Sequence, residues 1–199
     1  ALIDNMYHLF EILLLLHFLS FLSFLHVRNF TYVKLRSKSF LLYNNIMNKH
    51  GEKARRLFRQ GFSCSQAVIG AYAEDLGLDA EMMLKLSSSF GGGMGRLREV
   101  CGTVSAMFMI AGLLKGYSDP TNPELKKAHY TLIQDLASKF RAKNDSIICR
   151  ELLHLLATEK ISPIPTPRTE EYYKERPCAK FVVDACDIID AELLSAIKA

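Results

Sequence analysis

Five cysteines, Cys64, Cys101, Cys149, Cys178 and Cys186, are the side chains of this 199-residue chain best suited to chemistry. Four of them fall at an expected helix start. Cys64 follows Ser63 in a Ser-x-x-Gln capping box, Cys101 follows a glycine loop, Cys149 follows Asp145-Ser146, and Cys178 follows Pro177. A helix N-terminus presents unpaired N–H groups and about half a positive charge, which favours thiolate and lowers a cysteine below its free value of about 8.5. Thiolate is the form that binds soft metals and attacks disulfides. Four such helix starts meeting at one end of a bundle would make a pocket for several sulfur anions or for an anionic iron–sulfur cluster.

Spacing alone says less. Successive gaps of 37, 48 and 29 residues contain no Cys-x-x-Cys pair of the zinc-ribbon or ferredoxin kind, so the fold has to assemble any site. Buried free cysteines commonly behave as small apolar residues, and by spacing this is the simpler reading. Cys186 fits it best, two turns into a helix beside an apolar stripe and beyond the reach of the terminal charge.

Phe90-Gly91-Gly92-Gly93-Met94-Gly95-Arg96 precedes the helix that carries Cys101. It lacks the Gly-Lys-Ser/Thr ending of a phosphate-binding loop and the strand of a dinucleotide fold, so no nucleotide is expected. The expected role of Gly91, Gly92, Gly93 and Gly95, with Gly102, is to let backbone pass close to a cofactor or neighbouring group, and Arg96 or Arg98 would offset negative charge there. A plain helix-to-helix turn is the alternative.

The composition narrows the classes. Twenty-five Lys and Arg against 21 Asp and Glu give a net charge of +4, with the signs mixed and no basic stripe interleaved with aromatics, so nucleic acid is not an expected partner. An odd number of widely spaced cysteines argues against a disulfide-stapled secreted domain, and a reducing, cytoplasmic setting is expected.

The elements that must position the cysteines read as helices from Met47 onward, with no run of alternating β-branched residues. The expected fold is all-α, a compact bundle of about six to seven helices without a sheet. Helices are expected over Asn48–Arg59, from Cys64 to a stop at Gly77, and from the Asp79 cap to Leu86. Val100–Lys115 is apolar on every side and marks a buried central helix. Asn122-Pro123-Glu124 opens a helix with Leu125, Ala128, Leu132, Leu136 and Phe140 on one face. Asp145-Ser146 is expected to cap a helix through Cys149, Leu152, Leu153 and Leu156. A Pro-rich loop over Ser162–Pro167 separates it from a last helix that starts at Pro177 and carries Phe181, Ala185, Ile188, Ile189 and Leu193. His50, His129 and His154 occupy unrelated positions, with His129 expected at the edge of the core.

Residues 1–46 have a different composition: no Gly or Pro, six of the twelve Phe, and a Leu-rich run. Leu9–Leu25 is short for a membrane span and contains Glu11 and His17, and its basic residues follow the apolar run, the reverse of a secretory signal. The expectation is translated AT-rich sequence upstream of the domain. A membrane enters only if residues 9–25 form a genuine anchor with its basic end inside. The functional domain is taken as 47–199.

Several of these features occur together in one known family. Gly61-Phe62-Ser63-Cys64-Ser65-Gln66-Ala67-Val68, the glycine loop, Val100-Cys101-Gly102, Gly112-Leu113, Cys149-Arg150-Glu151-Leu152 and Cys178 resemble, in order and approximate spacing, the C-GCAxxG-C-C family of redox-active proteins. The resemblance implies that Cys64, Cys101, Cys149 and Cys178 are the family's signature cysteines and leaves Cys186 outside the pattern. One motif of the family closes on Gly, and the corresponding stretch here runs Cys101-Gly102-Thr103-Val104-Ser105-Ala106, so a methyl group fills part of that close approach. The family's likeness to a domain of split-Soret cytochrome c implies iron–sulfur binding. Covalent haem is excluded, since no Cys-x-x-Cys-His motif occurs.

The leading expectation is an electron-transfer or redox-sensing protein holding an iron–sulfur cluster, with zinc second, through Cys64, Cys101, Cys149 and Cys178. One alternative is a metal-free thiol–disulfide oxidoreductase with Cys64 and Cys101 as its pair. Another is a helical interaction module with packed cysteines. A redox partner protein is implied without being identified, and a homo-oligomer is compatible with the pattern.

Overall fold

The computed structural model describes residues 49–158 and 160–197, with side chains through Leu193. The expectations for residues 1–46 lie outside them. The described residues form eight helices and no sheet, so the all-α expectation holds. The helices are α1 (49–59), α2 (Cys64–Tyr72), α3 (Ala80–Ser88), α4 (Gly102–Lys115), α5 (Pro123–Asn144), α6 (Cys149–Leu152), α7 (Glu170–Glu175) and α8 (Cys178–Ile197). No helix among the described residues is long and apolar enough to cross a membrane.

Local chemistry sets most of the boundaries. Ser63 Oγ accepts from Gln66 N while Gln66 Oε1 accepts from Ser63 N at 3.0 Å, which is the expected capping box of α2. Asp79 caps α3 by accepting from Met82 N at 2.6 Å. Asn122 Oδ1 accepts from both Glu124 N and Leu125 N at the Pro123 start of α5.

The expected central helix is α4. It packs against α2, α5 and α8, and Val104, Ala106, Met107, Ile110 and Ala111 on it are fully buried. Removing a Val, Ile or Met side chain of this kind from water contributes about 1.5–3 kcal/mol each. Val182, Ala185, Ile189 and Leu193 of α8 and Leu136 and Phe140 of α5 close the core around it.

Four expectations need correction. Val100 lies outside α4 and forms an antiparallel bridge with Ile148, because its strand-like backbone is claimed by the segment before Cys149. Asp145 caps no helix start: it is the left-handed C-cap of α5 at φ 68°, and Ile148 precedes α6 with no side-chain cap. α6 stops at Leu152, since His154 turns the chain at φ 52° and leaves Leu156 exposed. The face of α5 is buried only in its second half, with Leu125 half-exposed beyond the edge of the core. α7, capped by Thr169, lies between the expected loop at Ser162–Pro167 and the last helix, where the sequence pattern assigns no element.

Candidate functional site

Cys64, Cys149 and Cys178 are the first residues of α2, α6 and α8, and Cys101 is the residue before α4. All four line one cavity of about 410 Å³, and all five cysteines are free. Cys186 is fully buried in the core and absent from that cavity. Arg96, Arg98, Arg168 and Arg176 share the wall, together with Gly91, Gly92, Gly95 and Tyr172, and the wall has no Asp, Glu or His.

The glycine loop supports the site from below. Gly92, Gly93, Met94, Gly95, Arg96 and Arg98 all have positive φ, a left-handed winding that Gly adopts freely and that costs Met94, Arg96 and Arg98 about 1–2 kcal/mol each. A Cβ on Gly93 would meet Cys149 Cβ at 2.6 Å, and one on Gly91 would meet Ser63 Cβ at 2.6 Å. The loop therefore passes against the residues that hold two of the thiols. Its exit is clipped to α6 by backbone hydrogen bonds: Cys101 N donates to Ile147 O at 2.8 Å, Cys149 N to Glu99 O at 2.7 Å, and Arg150 N to Arg98 O at 3.1 Å.

The four sulfurs are not equivalent. The Cys101 thiol hydrogen-bonds to Cys64, and with the backbone N–H groups of Gly92 and Ser65 and the Thr103 hydroxyl it outweighs burial, bringing Cys64 down to about 6. Thr103 Oγ1 is buried and reaches no partner at full hydrogen-bonding geometry, so its pull on Cys64 is the weakest of these. Cys101 is pushed the opposite way, first because it keeps its proton to donate toward Cys64 and then by burial. Burial raises Cys149 against the pull of Arg98, whose Nη1 lies 3.9 Å from Cys149 Sγ. Burial and then the neighbouring Cys64 charge raise Cys178 to about 12. Of the four thiolates expected from helix starts, only Cys64 is lowered, and the leading cause is the Cys101 thiol rather than the helix terminus. A helix of four residues such as α6 carries little terminal charge, and at Cys101 and Cys178 desolvation and a nearby sulfur anion outweigh it.

The wall offers four thiols as its soft donors and no carboxylate or imidazole, with arginines to balance sulfur anions, which suits iron–sulfur or zinc chemistry. The spacing is less favourable. Among the described residues no group of three or more His, Cys, Asp and Glu is placed to hold a metal ion. Chemistry therefore fits a metal, and the present placement of the thiols does not.

Sequence reasoning missed Arg168, Arg176, Tyr172 and Thr103. Arg168 comes from the irregular segment before α7, where its guanidinium lies 4.6 Å from the centres of both the Phe58 and Tyr172 rings. Nothing in the local sequence marks it. A second cluster, also missed, sits away from the cavity wall. His50 Nδ1 and Nε2 each lie 2.7 Å from a carboxylate, Asp190 and Asp75, and Tyr72 donates to Asp190 at 2.8 Å. His129 lies at the core edge, with Tyr117 edge-on to its ring at 5.9 Å.

The spacing and order of the four cavity cysteines agree with a family model described as "Putative redox-active protein (C_GCAxxG_C_C)", which matches residues 62–192. The chain belongs to this family. The match runs from the residue after Gly61 to the second half of α8, so it takes in every cavity cysteine. Ala106, where the family motif carries Gly, is fully buried in α4. No curated protein and no solved structure matches the chain.

Proposed function

We propose that this family member is a thiol–disulfide redox protein in which Cys64 is the attacking sulfur and Cys101 the resolving one. The single observation that carries the reading is the placement of Cys64 and Cys101 on the wall of one open cavity, where Gly102, the residue after Cys101, lies against the Cys64 sulfur. Cys64 Sγ would attack one sulfur of an incoming disulfide, forming a mixed disulfide and releasing the other sulfur as thiolate. Cys101 would then give up its proton and attack Cys64 Sγ. The second thiol of the substrate leaves carrying that proton, the protein keeps a Cys64–Cys101 disulfide, and two electrons have passed to the substrate, whose first released thiolate takes its own proton from water.

A second reading, an iron–sulfur cluster or zinc held by Cys64, Cys101, Cys149 and Cys178, is favoured by the presence of all four on one wall that has no carboxylate or imidazole. It requires the thiols to draw together around the metal. One preparation separates the two readings. Anaerobically purified protein, assayed for iron, zinc and sulfide and then oxidised with a small disulfide, is expected to be metal-poor and to yield a peptide linked through Cys64 and Cys101. Serine at either position should abolish the linkage, and Cys186→Ser should leave it intact. Iron and sulfide approaching the protein in amount, lost in each of the four single serine variants, would replace the first reading by the second.

A further inference from the structure

We propose that the thiol cavity binds a small anionic co-substrate, a disulfide bearing carboxylates, through the arginines of its wall. This rests on the thiol–disulfide reading and adds a substrate class to it. Four guanidinium groups line the cavity, and no acidic side chain shares the wall with them. Arg96 donates to Ser162 O at 2.8 Å and to Thr166 Oγ1 at 3.3 Å, and Arg98 approaches Cys149 Sγ at 3.9 Å. Arg176 lies over the Tyr172 ring at 5.1 Å. Arg168 donates through Nη2 to Phe62 O at 3.3 Å, and its buried Nη1 has no partner. Among the described residues none of the four is paired with a carboxylate.

Guanidinium groups gathered without counter-ions repel one another unless an anion joins them, and a buried N–H without an acceptor is costly for the same reason. The carboxylate is the planar acceptor that the guanidinium fork matches best. A cavity of about 410 Å³ holds a small molecule rather than a folded partner's surface. The same wall carries Cys64, so a disulfide whose carboxylates engage the arginines has its sulfurs delivered to the attacking thiolate.

Three disulfides of similar size and different charge test this: dianionic dithiodiglycolate, the neutral disulfide of mercaptoethanol, and dicationic cystamine. Each rate of thiol loss from the reduced protein is divided by its rate with free mercaptoethanol, a thiol with no charged substituent, which removes intrinsic reactivity. At low ionic strength the dianion is expected to be favoured over the neutral disulfide by roughly tenfold or more, and the preference should shrink as salt is added. Arg168→Gln and Arg176→Gln should each narrow it, and Arg168→Lys should keep part of it. Circular dichroism checks that the variants fold, and Arg176→Gln serves if the Arg168 stack proves essential to folding.

Binding is read separately with thiodiglycolate, the unreactive thioether dianion, which should raise the thermal midpoint of the wild type and not of a glutamine variant. Equal normalised rates for all three disulfides, with no thermal shift, would overturn the proposal while leaving the thiol reading in place. A thermal shift without oxidation by any disulfide would sustain the anion site and overturn the thiol–disulfide reading instead.

Discussion

Cys64 occupies the space that a side chain at Gly102 would need. A Cβ on Gly102 would lie 2.8 Å from Cys64 Sγ and 2.5 Å from the Phe90 carbonyl oxygen, closer than such atoms approach without displacement. The start of α4 therefore packs directly on the Cys64 sulfur and on the Phe90 carbonyl at the entrance of the glycine loop. Gly102→Ala is expected to cost about 1–3 kcal/mol of stability, as overpacking of a filled interior does. It should also change the rate at which Cys64 is alkylated, because either the sulfur or the carbonyl must move. Chemical denaturation and alkylation rates measured on the same samples check both. An unchanged midpoint with an unchanged rate would mean that the neighbours yield without effort.

The asymmetry between Cys64 and Cys101 gives a pH signature. The Cys101 hydrogen bond, acting against burial and helped by the Gly92 and Ser65 N–H groups and Thr103, holds Cys64 down to about 6. Alkylation of Cys64 by iodoacetamide should therefore reach half its maximal rate well below the free-cysteine value of about 8.5. Cys101→Ala removes the leading cause and should shift that half-point upward, and Thr103→Val should shift it in the same direction by less. Site-resolved mass spectrometry over a pH series supplies the curves. The same half-point in wild type and Cys101→Ala would show that the pair does not act as drawn.

His50 sets a second pH dependence, this time of stability. Burial lowers its pKa, but the hydrogen bonds and charges of Asp190 and Asp75 outweigh that and raise it above 6.5. The folded state then holds the proton more tightly than the unfolded one, so this contribution is complete below pH 6.5 and fades as the pH climbs through the folded value. Cys64 works in the opposite direction over part of the same interval, so the readout is the difference between wild type and His50→Gln. That difference should be largest at the acid end of the window and shrink with rising pH. The variant should also lose about 3–5 kcal/mol there, because Asp190 would be left buried without its cationic partner. A pH-independent difference would show that His50 is neutral in the folded protein.

Much of this arrangement was legible where the signals were local. Ser63 with Gln66, Asp79, and Asn122 with Pro123 each announce a helix start within four residues, and the apolar run of α4 announces burial. The position of each cysteine at or beside a helix start could be read for the same reason. What could not be read was produced at a distance. His50 and Asp190 meet across 140 residues, and Arg168 reaches Phe62 across 106. The thiolate expectation failed at Cys149 and Cys178 because desolvation depends on what covers a residue, and neither the cavity nor its neighbouring sulfur anion has a sequence pattern. α6 ended early because the left-handed turn at His154 carries no Gly or Asn to mark it.

The backbone clip between Glu99–Cys101 and Ile147–Cys149 has a topological consequence. It ties the two ends of α4, α5 and their connection into a closed excursion that leaves the site and returns to it. Adding residues in the turn between Lys115 and Asn122 would enlarge that excursion at the slow logarithmic cost of loop closure, about 0.6 kcal/mol for each doubling, without altering how Cys101 and Cys149 stand to one another. Residue counts between these two cysteines are therefore free to drift, whereas a proline at position 101 or 149, which has no N–H to give, would unlatch the pair. Among the described residues Cys178 shares no such backbone latch with them, and the packing of α8 on α2, α4 and α5 holds it in place.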